Sequence, residues 1–293
     1  MDTFTLITIT GIGLGALYFL VASGLSLIYG LMGVLNFAHG TFLTVGAFSG
    51  LWISTQVFTS ASIWTFIGAM IFGGLSAGIF ALVMEQLVIR RLYERHVDQA
   101  LVTVGVALVV GALLSGWFSN DPRLLPTPLW FINTVNIGTA RIPVDRFLYI
   151  GVSLFLLIAL SAILKFTRIG LIIRAGVENR TMVSALGINV RIAFSTVFFL
   201  GGFSAGVGGV LVGAYQSGVS PLMSGSWLIY GFIVVVIGGM GSLGGSALAA
   251  LLIGVVNQFA NYYVPGLGDF VIVFLLAAVL LTRPQGLLGK VMS

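Results

Sequence analysis

The 293-residue sequence contains no cysteine, only two histidines and few charged side chains, which make up 7% of the residues. Without cysteine the chain forms no disulfide bonds, and thiolate catalysis and cysteine-ligated metal sites are excluded. The histidines and carboxylates show no clustered ligand pattern, so we expect no metal site in this chain. Soluble domains carry about 25% charged residues, and the scarcity of charge therefore indicates that water is not the main solvent of this protein.

Apolar side chains dominate the sequence, with 58% of the residues hydrophobic and a mean hydropathy of +1.14. The apolar runs are continuous rather than alternating, which favours helices over a β-barrel, since lipid offers no partner to a bare peptide group. A span takes roughly 20 apolar residues, so the sequence predicts an all-α, polytopic transmembrane helical bundle of about eight or nine spans. Residues 1–293 are expected to form a single transmembrane domain, without room for a second, soluble one.

The apolar runs that we interpret as spans cover residues 5–29, 34–55, 63–88, 100–119, 147–164, 192–214, 227–240, 245–263 and 269–282. We expect the first run to be retained, because it lacks the basic start and the small-residue cleavage site of a signal peptide. The run 34–55 allows two topologies. As a full span it places the amino terminus outside, and as a re-entrant segment it removes one span and places the terminus inside.

The 13 basic residues divide unevenly between alternate loops. Arg123, Arg141 and Arg146 lie in one set of loops, and the larger set contains Arg90, Arg91, Arg95, Lys165, Arg168, Arg174, Arg180, Arg191, Arg283 and Lys290. The positive-inside rule places the larger set, and with it the carboxyl terminus, in the cytoplasm. Basic residues spread over so many loops form no patch dense enough for nucleic acid.

The segment 120–146 lies on the side opposite the larger set of basic loops, so we expect it to be external. Its prolines suit an extended or turn-rich loop, and a docking surface is expected there.

Two stretches, 74–78 and 202–206, match the hydrolase pattern G-x-S-x-G. A nucleophile elbow needs a strand-turn-helix setting and a histidine partner, whereas Ser76 and Ser204 lie inside expected helical spans. We interpret these stretches as small residues at helix-packing spacing, and expect no catalytic residues in this chain. The same small-xxx-small spacing occurs in the pairs Gly11 and Gly15, Gly46 and Gly50, Gly74 and Gly78, and Gly209 and Gly213.

A glycine-rich break, with Gly239, Gly241, Ser242 and Gly244, separates two late runs. It fits G-x-G-x-x-G, but without a preceding strand or an acidic residue about 20 positions further on it is not a dinucleotide site. Two interpretations remain: a break whose backbone groups line a water-filled path, or a tight interhelical turn. No P-loop pattern is present, so the chain is expected to hold no cofactor, and any nucleotide is bound by a partner.

The segment Asn36 to Gly40 places Asn36 and His39 among apolar neighbours before a permissive glycine. This arrangement suits a discontinuous helix that lines a path, and equally a polar pair that holds helices together. Ionisable residues are otherwise nearly absent from the spans, which argues against a proton- or sodium-coupled carrier. We interpret Glu85 as an end-of-helix charge beside Arg90 and Arg91.

The expected cytoplasmic segment from Lys165 to Arg191 is the most informative soluble stretch. Glu178 follows Arg174 by four residues, so the two share a helix face. Such a short amphipathic helix needs a partner to cover its apolar side, because this chain is expected to leave several apolar side chains exposed: Ile172, Ile173, Val177, Met182 and Leu186.

Three stretches of the sequence together resemble the permeases of branched-chain amino-acid ABC importers, specifically the Liv-type subunit that is the shorter paralogue of a pair. They are 29–40 with Gly46 and Ala47, the loop 174–188, and Gly238 to Gly245. The resemblance covers nearly the whole chain, and its first stretch is the most specific. The loop departs from the wider importer consensus by having Arg174 and Ala175 where a Glu-Ala-Ala sequence is usual.

The resemblance implies a multi-pass permease of the bacterial cytoplasmic membrane that works with other subunits. These are a paralogous second permease, two cytoplasmic ATP-binding subunits that bind ATP and Mg, and an extracytoplasmic solute-binding protein. The segment that resembles the ATPase-coupling site contains Arg174, Ala175, Glu178, Asn179, Gly187 and Ile188. The expected solute path, from the residues themselves, contains Asn36, His39, Gly40, Gly239, Gly241, Ser242 and Gly244.

The expected solute is small and neutral or zwitterionic, because a path with so few charges cannot compensate a net charge. Branched-chain amino acids fit this description, and so do urea and short amides. An autonomous channel or secondary carrier and an intramembrane hydrolase are the competing classes of function.

Overall fold

The computed structural model of the protein describes residues 2–33, 36–57, 60–93, 95–178, 182–183, 187 and 189–289. Its α-helices are α1 (Asp2–Met32), α2 (His39–Gln56), α3 (Ile63–Leu87), α4 (His96–Phe118), α5 (Asp145–Phe166), α6 (Arg168–Glu178), α7 (Val190–Tyr215), α8 (Met223–Gly238), α9 (Leu243–Tyr263) and α10 (Leu267–Thr282). Short 3-10 helices cover Ile89–Leu92 and Leu129–Ile132, and β1 (Thr134–Ile137) pairs antiparallel with β2 (Ala140–Pro143).

Each apolar run of the sequence corresponds to one of these helices, and the predicted polytopic helical bundle is confirmed. Within the described residues, six helices are long and apolar enough to cross a membrane, namely α1, α3, α4, α5, α7 and α9. Helices α8 and α10 are apolar but shorter. The eighteen-residue α2 is largely buried among other helices, which explains why its sequence tolerates more polar residues than a lipid-facing span would.

Helix α7 lies at the centre of the bundle and packs against α1, α2 and α3. Glycines bring these backbones into close contact, as the small-xxx-small spacing predicts. A Cβ atom added to Gly46 of α2 would lie 2.3 Å from the Cα atom of Gly206, and one added to Gly24 of α1 would lie 2.3 Å from the carbonyl oxygen of Gly201. Only glycine permits helices to approach this closely.

The basic loops gather at one end of the bundle. Arg90 and Arg91, which follow α3, line a common cavity with Arg191 at the start of α7. Helix α1 runs antiparallel to α7, since Leu20 faces Gly208 and Gly24 faces Gly201. The end of α1 therefore lies at the basic end of the bundle and its beginning at the other end.

Helix α2 begins inside the bundle, at the level of Val21 and Gly24 in α1. It ends near the start of α3, which is antiparallel to α7 and so begins at the end opposite the basic loops. The chain between α1 and α3 therefore completes a crossing although its helix starts part-way through. Of the two predicted topologies, the structure matches the one in which the amino terminus lies opposite the basic loops.

The predicted external segment contains more regular structure than the extended or turn-rich loop expected from its prolines. Strands β1 and β2 form a hairpin whose turn includes Gly138 in the left-handed region, at φ 66°. Arg123 pairs with Val219 through a backbone bridge in which each residue donates to the other, at 3.0 and 2.8 Å. This bridge attaches the segment to the connection between α7 and α8.

Candidate transport path and coupling surface

The break before α2 is held by side chains from two parts of the chain. Asn36 Oδ1 accepts a hydrogen bond from the amide of Ala38 at 3.0 Å, and Thr103 Oγ1 of α4 accepts one from the amide of Phe37 at 3.2 Å. These bonds satisfy backbone donors that would otherwise be bare at a helix start inside the bundle. Sequence reasoning missed Thr103, because no local pattern distinguishes it from other threonines in apolar helices.

His39 is completely buried at this break. Its Nε2 lies 3.0 Å from the carbonyl oxygen of Val21, and its ring packs edge-on against Phe42 with centroids 5.4 Å apart. His39 Nδ1 and Asn36 Nδ2 are buried without a hydrogen-bond partner among the described residues. His39 thus joins α1 and α2, and a role for this segment in the solute path stays a prediction.

A cavity of about 150 Å³ adjoins the break. Asn36 lines it together with apolar side chains from three elements: Leu25, Phe37, Leu228, Ile229 and Phe232. The cavity walls are almost entirely apolar, because the Asn36 side chain is itself buried, so the cavity suits the apolar body of a small molecule. Gly40 lies next to this region. A Cβ atom added to Gly40 would lie 2.5 Å from the Ser224 carbonyl oxygen, so α2 and α8 are in direct backbone contact.

The glycine-rich break between α8 and α9 is a tight turn. Gly239 and Gly241 have φ values of 98° and 87°, which L side chains rarely adopt. Ser242 caps α9, because its Oγ accepts a hydrogen bond from the amide of Gly245 at 3.0 Å. Gly241 presses against Gly30 of α1, where an added Cβ would lie 2.6 Å from the Gly30 Cα atom. In contrast, a Cβ added to Gly244 would meet open space.

The chain beyond α10 closes the turn from the other side. The amides of Leu287 and Leu288 donate to the carbonyl oxygens of Ile237 and Gly238 at 2.8 and 3.1 Å. These bonds satisfy the carbonyl groups at the end of α8 without water. The positive φ values and the close backbone contacts thus explain why glycine occupies positions 239 and 241. A role for these glycines in the solute path stays a prediction.

The two predicted parts of the path, the break at Asn36 to Gly40 and the turn at Gly239 to Gly244, lie at different levels along α1. His39 lies beside Val21 and Gly24, whereas Gly241 lies beside Gly30. Six residues of α1 separate those levels, which is roughly 9 Å along the helix axis at ~1.5 Å per residue. A path that used both would run along α1 towards the basic end of the bundle.

Helix α6 occupies the predicted coupling segment, and Arg174 is exposed there. Gly187 has a left-handed φ of 79°, while Asn179 and Ile188 lie outside the described residues. The expectation that a partner must cover the whole apolar side is wrong for Ile173, which is fully buried within the chain's own core. Helices α5 and α7 cover that side, and Met182 and Leu171 remain exposed.

Glu85 lies in the last turn of α3, near the end of the helix as the sequence indicated. Its carboxylate is fully buried and accepts hydrogen bonds from the hydroxyl of Tyr93 and from Ser195 Oγ, the latter at 2.5 Å. The carboxylate thereby joins α3, the segment after it and α7. Tyr93 also packs edge-on against Phe194, with centroids 5.7 Å apart, and Phe194 belongs to a small apolar cluster with Val183 and Val190, near α6.

The serines of the two G-x-S-x-G stretches both lie within helices, Ser76 in α3 and Ser204 in α7. Ser204 is completely buried and shares a 2.5 Å hydrogen bond with Ser23, and its Oγ also contacts the Leu20 carbonyl oxygen at 3.1 Å. Ser76 donates to the Gly73 carbonyl oxygen at 3.0 Å. Both serines therefore form hydrogen bonds within the helical bundle.

Comparison with known proteins gives a consistent result. The family described as "Branched-chain amino acid transport system / permease component" matches residues 7–280. The high-affinity branched-chain amino acid transport system permease protein LivH of Salmonella typhimurium is 27% identical, over 96% of this chain and 94% of its own length. BraD of Pseudomonas aeruginosa, a protein of the same description, is 28% identical over 96% and 94%. The corresponding LivM protein of Escherichia coli is 28% identical, over 93% of this chain and 68% of its own length.

The match to the family begins at residue 7, near the start of α1, and ends at residue 280, near the end of α10. It therefore includes both candidate path segments and α6. The LivH and BraD relatives cover the same span at nearly their full length, which agrees with the shorter of two paralogous permeases. The protein is therefore a multi-pass member of the branched-chain amino acid transport system permease family.

Proposed function

We propose that this chain is the membrane-spanning permease subunit of an ATP-binding-cassette importer, and that it translocates branched-chain or other small zwitterionic amino acids. The observation that carries the proposal is the cavity beside Asn36, whose walls are almost entirely apolar and include no charged side chain among the described residues. The names of the relatives favour branched-chain amino acids over urea or short amides.

The site suits a zwitterion with an aliphatic side chain. The unpaired Asn36 Nδ2 donates to the carboxylate of the solute, while Leu25, Leu228 and Phe232 contact its side chain. A solute with a net charge would be unfavourable here, because the lining supplies no counter-ion to offset desolvation.

The partners follow from the same proposal. The basic end of the bundle faces the cytoplasm by the positive-inside rule, which puts α6 where two ATP-binding subunits dock and places the hairpin end towards an external solute-binding protein. These ATP-binding subunits bind ATP and Mg, and this chain supplies no catalytic group. The similarity to both LivH and LivM supports a paralogous second permease as the other half of the path. The membrane is the bacterial inner membrane.

Reconstitution tests the proposal directly. Leucine uptake into proteoliposomes should require the second permease, both ATP-binding subunits, the binding protein and ATP. Uptake by this chain alone in ATP-free vesicles would instead establish an autonomous channel or carrier. A hydrolase activity that is lost in S76A or S204A would revive the enzyme alternative.

Thiol labelling tests the path in this cysteine-free chain. A cysteine at Asn36, which is buried in this conformation, should react with a small water-soluble thiol reagent in at least one nucleotide state. A cysteine at Gly111 of α4 is the control, because that position faces open space among apolar residues and should stay unreactive in lipid. Protection of position 36 in every state would place it in a packed interface.

Charge reversal tests the coupling segment. Glu178→Lys should uncouple ATP hydrolysis from uptake while membrane insertion is unchanged. Asp98→Lys is the matched control at the same end of the bundle, since the side chain of Asp98 is 48% exposed. An uptake rate equal to that of the unmodified transporter would show that the segment is only a connector between α5 and α7.

A further inference from the structure

The seam between α3 and α7 at the basic end of the bundle contains two adjoining cavities that the transport path does not use. One has a volume of about 430 Å³ and is lined by Gln86, Arg90, Arg91, Tyr93 and Arg191. The other has a volume of about 320 Å³ and is lined by Leu82, Gln86, Arg90, Asn189, Arg191, Ile192, Ser195 and Thr196. Gln86, Arg90 and Arg191 line both cavities, so these form one basic cleft.

Among the described residues that line the cleft, which do not include Glu94, none is acidic. Within the described part of the chain, the ion pairs join Arg95 to Asp98 and Arg146 to Asp145, and neither involves Arg90, Arg91 or Arg191. Glu85 is the nearest carboxylate along α3, and its oxygens are already engaged by Tyr93 and Ser195 on the inner side of the cleft. Three arginines therefore converge on a space that favours an anion.

The membrane-facing side of the same seam is apolar. Leu75 and Ile79 of α3 are exposed and precede Leu82, Gln86 and Arg90 at helical spacing, so they form one stripe that is apolar for about two turns and then polar. Phe199 and Phe203 of α7 stack on each other with centroids 6.4 Å apart and lie against Gly78 and Gly74 of α3. The stripe leads from hydrocarbon depth to the basic cleft.

We propose that an anionic phospholipid binds along this seam, with its phosphate between Arg90 and Arg191 and an acyl chain along Leu75 and Ile79. Basic pockets between helices at a membrane boundary bind acidic headgroups, and the long arginine side chains reach the headgroup layer from helix ends. The apolar stripe commits the site to a lipid rather than to a free anion, because a free anion would gain nothing from it. This inference goes beyond the proposed function and does not depend on it.

Lipid titration of the full chain in mild detergent, read by native mass spectrometry, tests the proposal. Dioleoyl phosphatidylglycerol should bind in preference to dioleoyl phosphatidylcholine, which has the same acyl chains. The double variant R90Q/R191Q should lower that preference roughly 30-fold, given the usual contribution of each arginine near an anionic headgroup. The control R168Q/R283Q removes two exposed basic residues from the same end of the bundle and should keep the preference.

Other outcomes would overturn the proposal. An equal loss in the control would mean general attraction to basic loops, and displacement of phosphatidylglycerol by inorganic phosphate or glycerophosphoglycerol would mean a site for free anions. Loss of the bound lipid on assembly with ATP-binding subunits would make the cleft a subunit contact. If R90Q/R191Q fails to fold, R90K/R191K decides: it should retain the preference, because lysine still binds phosphate as a point charge, and its failure to do so in folded protein would contradict the proposal.

Discussion

Helices α4 and α7 are both long and apolar, but they lie in opposite environments. In the most apolar stretch of each helix, 83% of the α7 residues and 6% of the α4 residues are buried within the chain. Hydrophobicity does not distinguish the two, because lipid and protein interior are both apolar. The difference lies in what their small residues contact, and it shows that glycine content indicates packing only where a neighbouring backbone is present.

The glycines of the two helices make the contrast specific. A Cβ atom added to Gly105, Gly111 or Gly116 of α4 would meet nothing within 4 Å. In α7, added Cβ atoms would lie within 3.0 Å of neighbouring helices at several positions: Gly201, Gly202, Gly206 and Gly209. The same residue type is thus a structural requirement in α7 and a substitutable residue in α4.

The largest effect is expected from enlarging a central glycine. Gly206→Leu should lower the free energy of unfolding by about 3 kcal/mol or more, the upper part of the range for overpacking, because the added Cβ would lie 2.5 Å from the Gly73 carbonyl oxygen. The thermal unfolding midpoint in detergent measures this. Gly111→Leu in α4 is the control, and equal destabilisation by both variants would contradict the comparison.

A smaller effect is expected from removing the buried carboxylate that joins α3 to α7. Glu85→Ala leaves the hydroxyls of Tyr93 and Ser195 without this acceptor and should destabilise the protein by about 1–3 kcal/mol. Asp98→Ala near the start of α4 breaks only an exposed 3.8 Å ion pair and should change stability by less than ~0.5 kcal/mol. Glu85→Gln keeps one acceptor oxygen and should restore part of the loss. The thermal unfolding midpoint should be lowest for Glu85→Ala, intermediate for Glu85→Gln and highest for Asp98→Ala, and a ranking with Asp98→Ala lowest would refute the assignment.

Removing the buried serine pair between α1 and α7 should have a modest effect. Ser204→Ala should cost about 1 kcal/mol, since Ser23 keeps its 2.9 Å bond to the Leu20 carbonyl oxygen. A double-mutant cycle with Ser23→Ala measures the coupling between the two hydroxyls. Additive effects would show that the 2.5 Å contact contributes nothing to stability.

The smallest effect is expected in α4. Gly111→Ala should leave the unfolding midpoint unchanged or raise it slightly, because alanine has the higher helix propensity, by up to about 1 kcal/mol in helix interiors, and the site is open. Uptake by the reconstituted transporter should be unchanged. A clear loss of stability would show that another helix packs on this face of α4.

The spans, the small-residue packing and the helix at Arg168–Glu178 follow from sequence patterns, because each depends on local spacing and composition. The hydrogen-bond partners of Glu85 do not, since Ser195 lies 110 residues further along the chain. Thr103 at the α2 break was likewise unpredictable. The cover of Ile173 by the chain's own helices was mispredicted, because a periodic pattern shows that a face is apolar and does not show what lies against it.

By itself, the sequence determined that this protein lies in a membrane, that it is helical, and which loops share a side. These properties follow from the free-energy cost of burying charges and unpaired peptide groups in lipid. That cost is set by each residue separately, so it can be read from the sequence. Only the tertiary structure decided that α2 starts within the bundle, that the glycine turn is closed by Leu287 and Leu288, and which helices are central. Those outcomes depend on the fit between surfaces of equal hydrophobicity, and in lipid that fit is set by side-chain shape and backbone approach rather than by polarity.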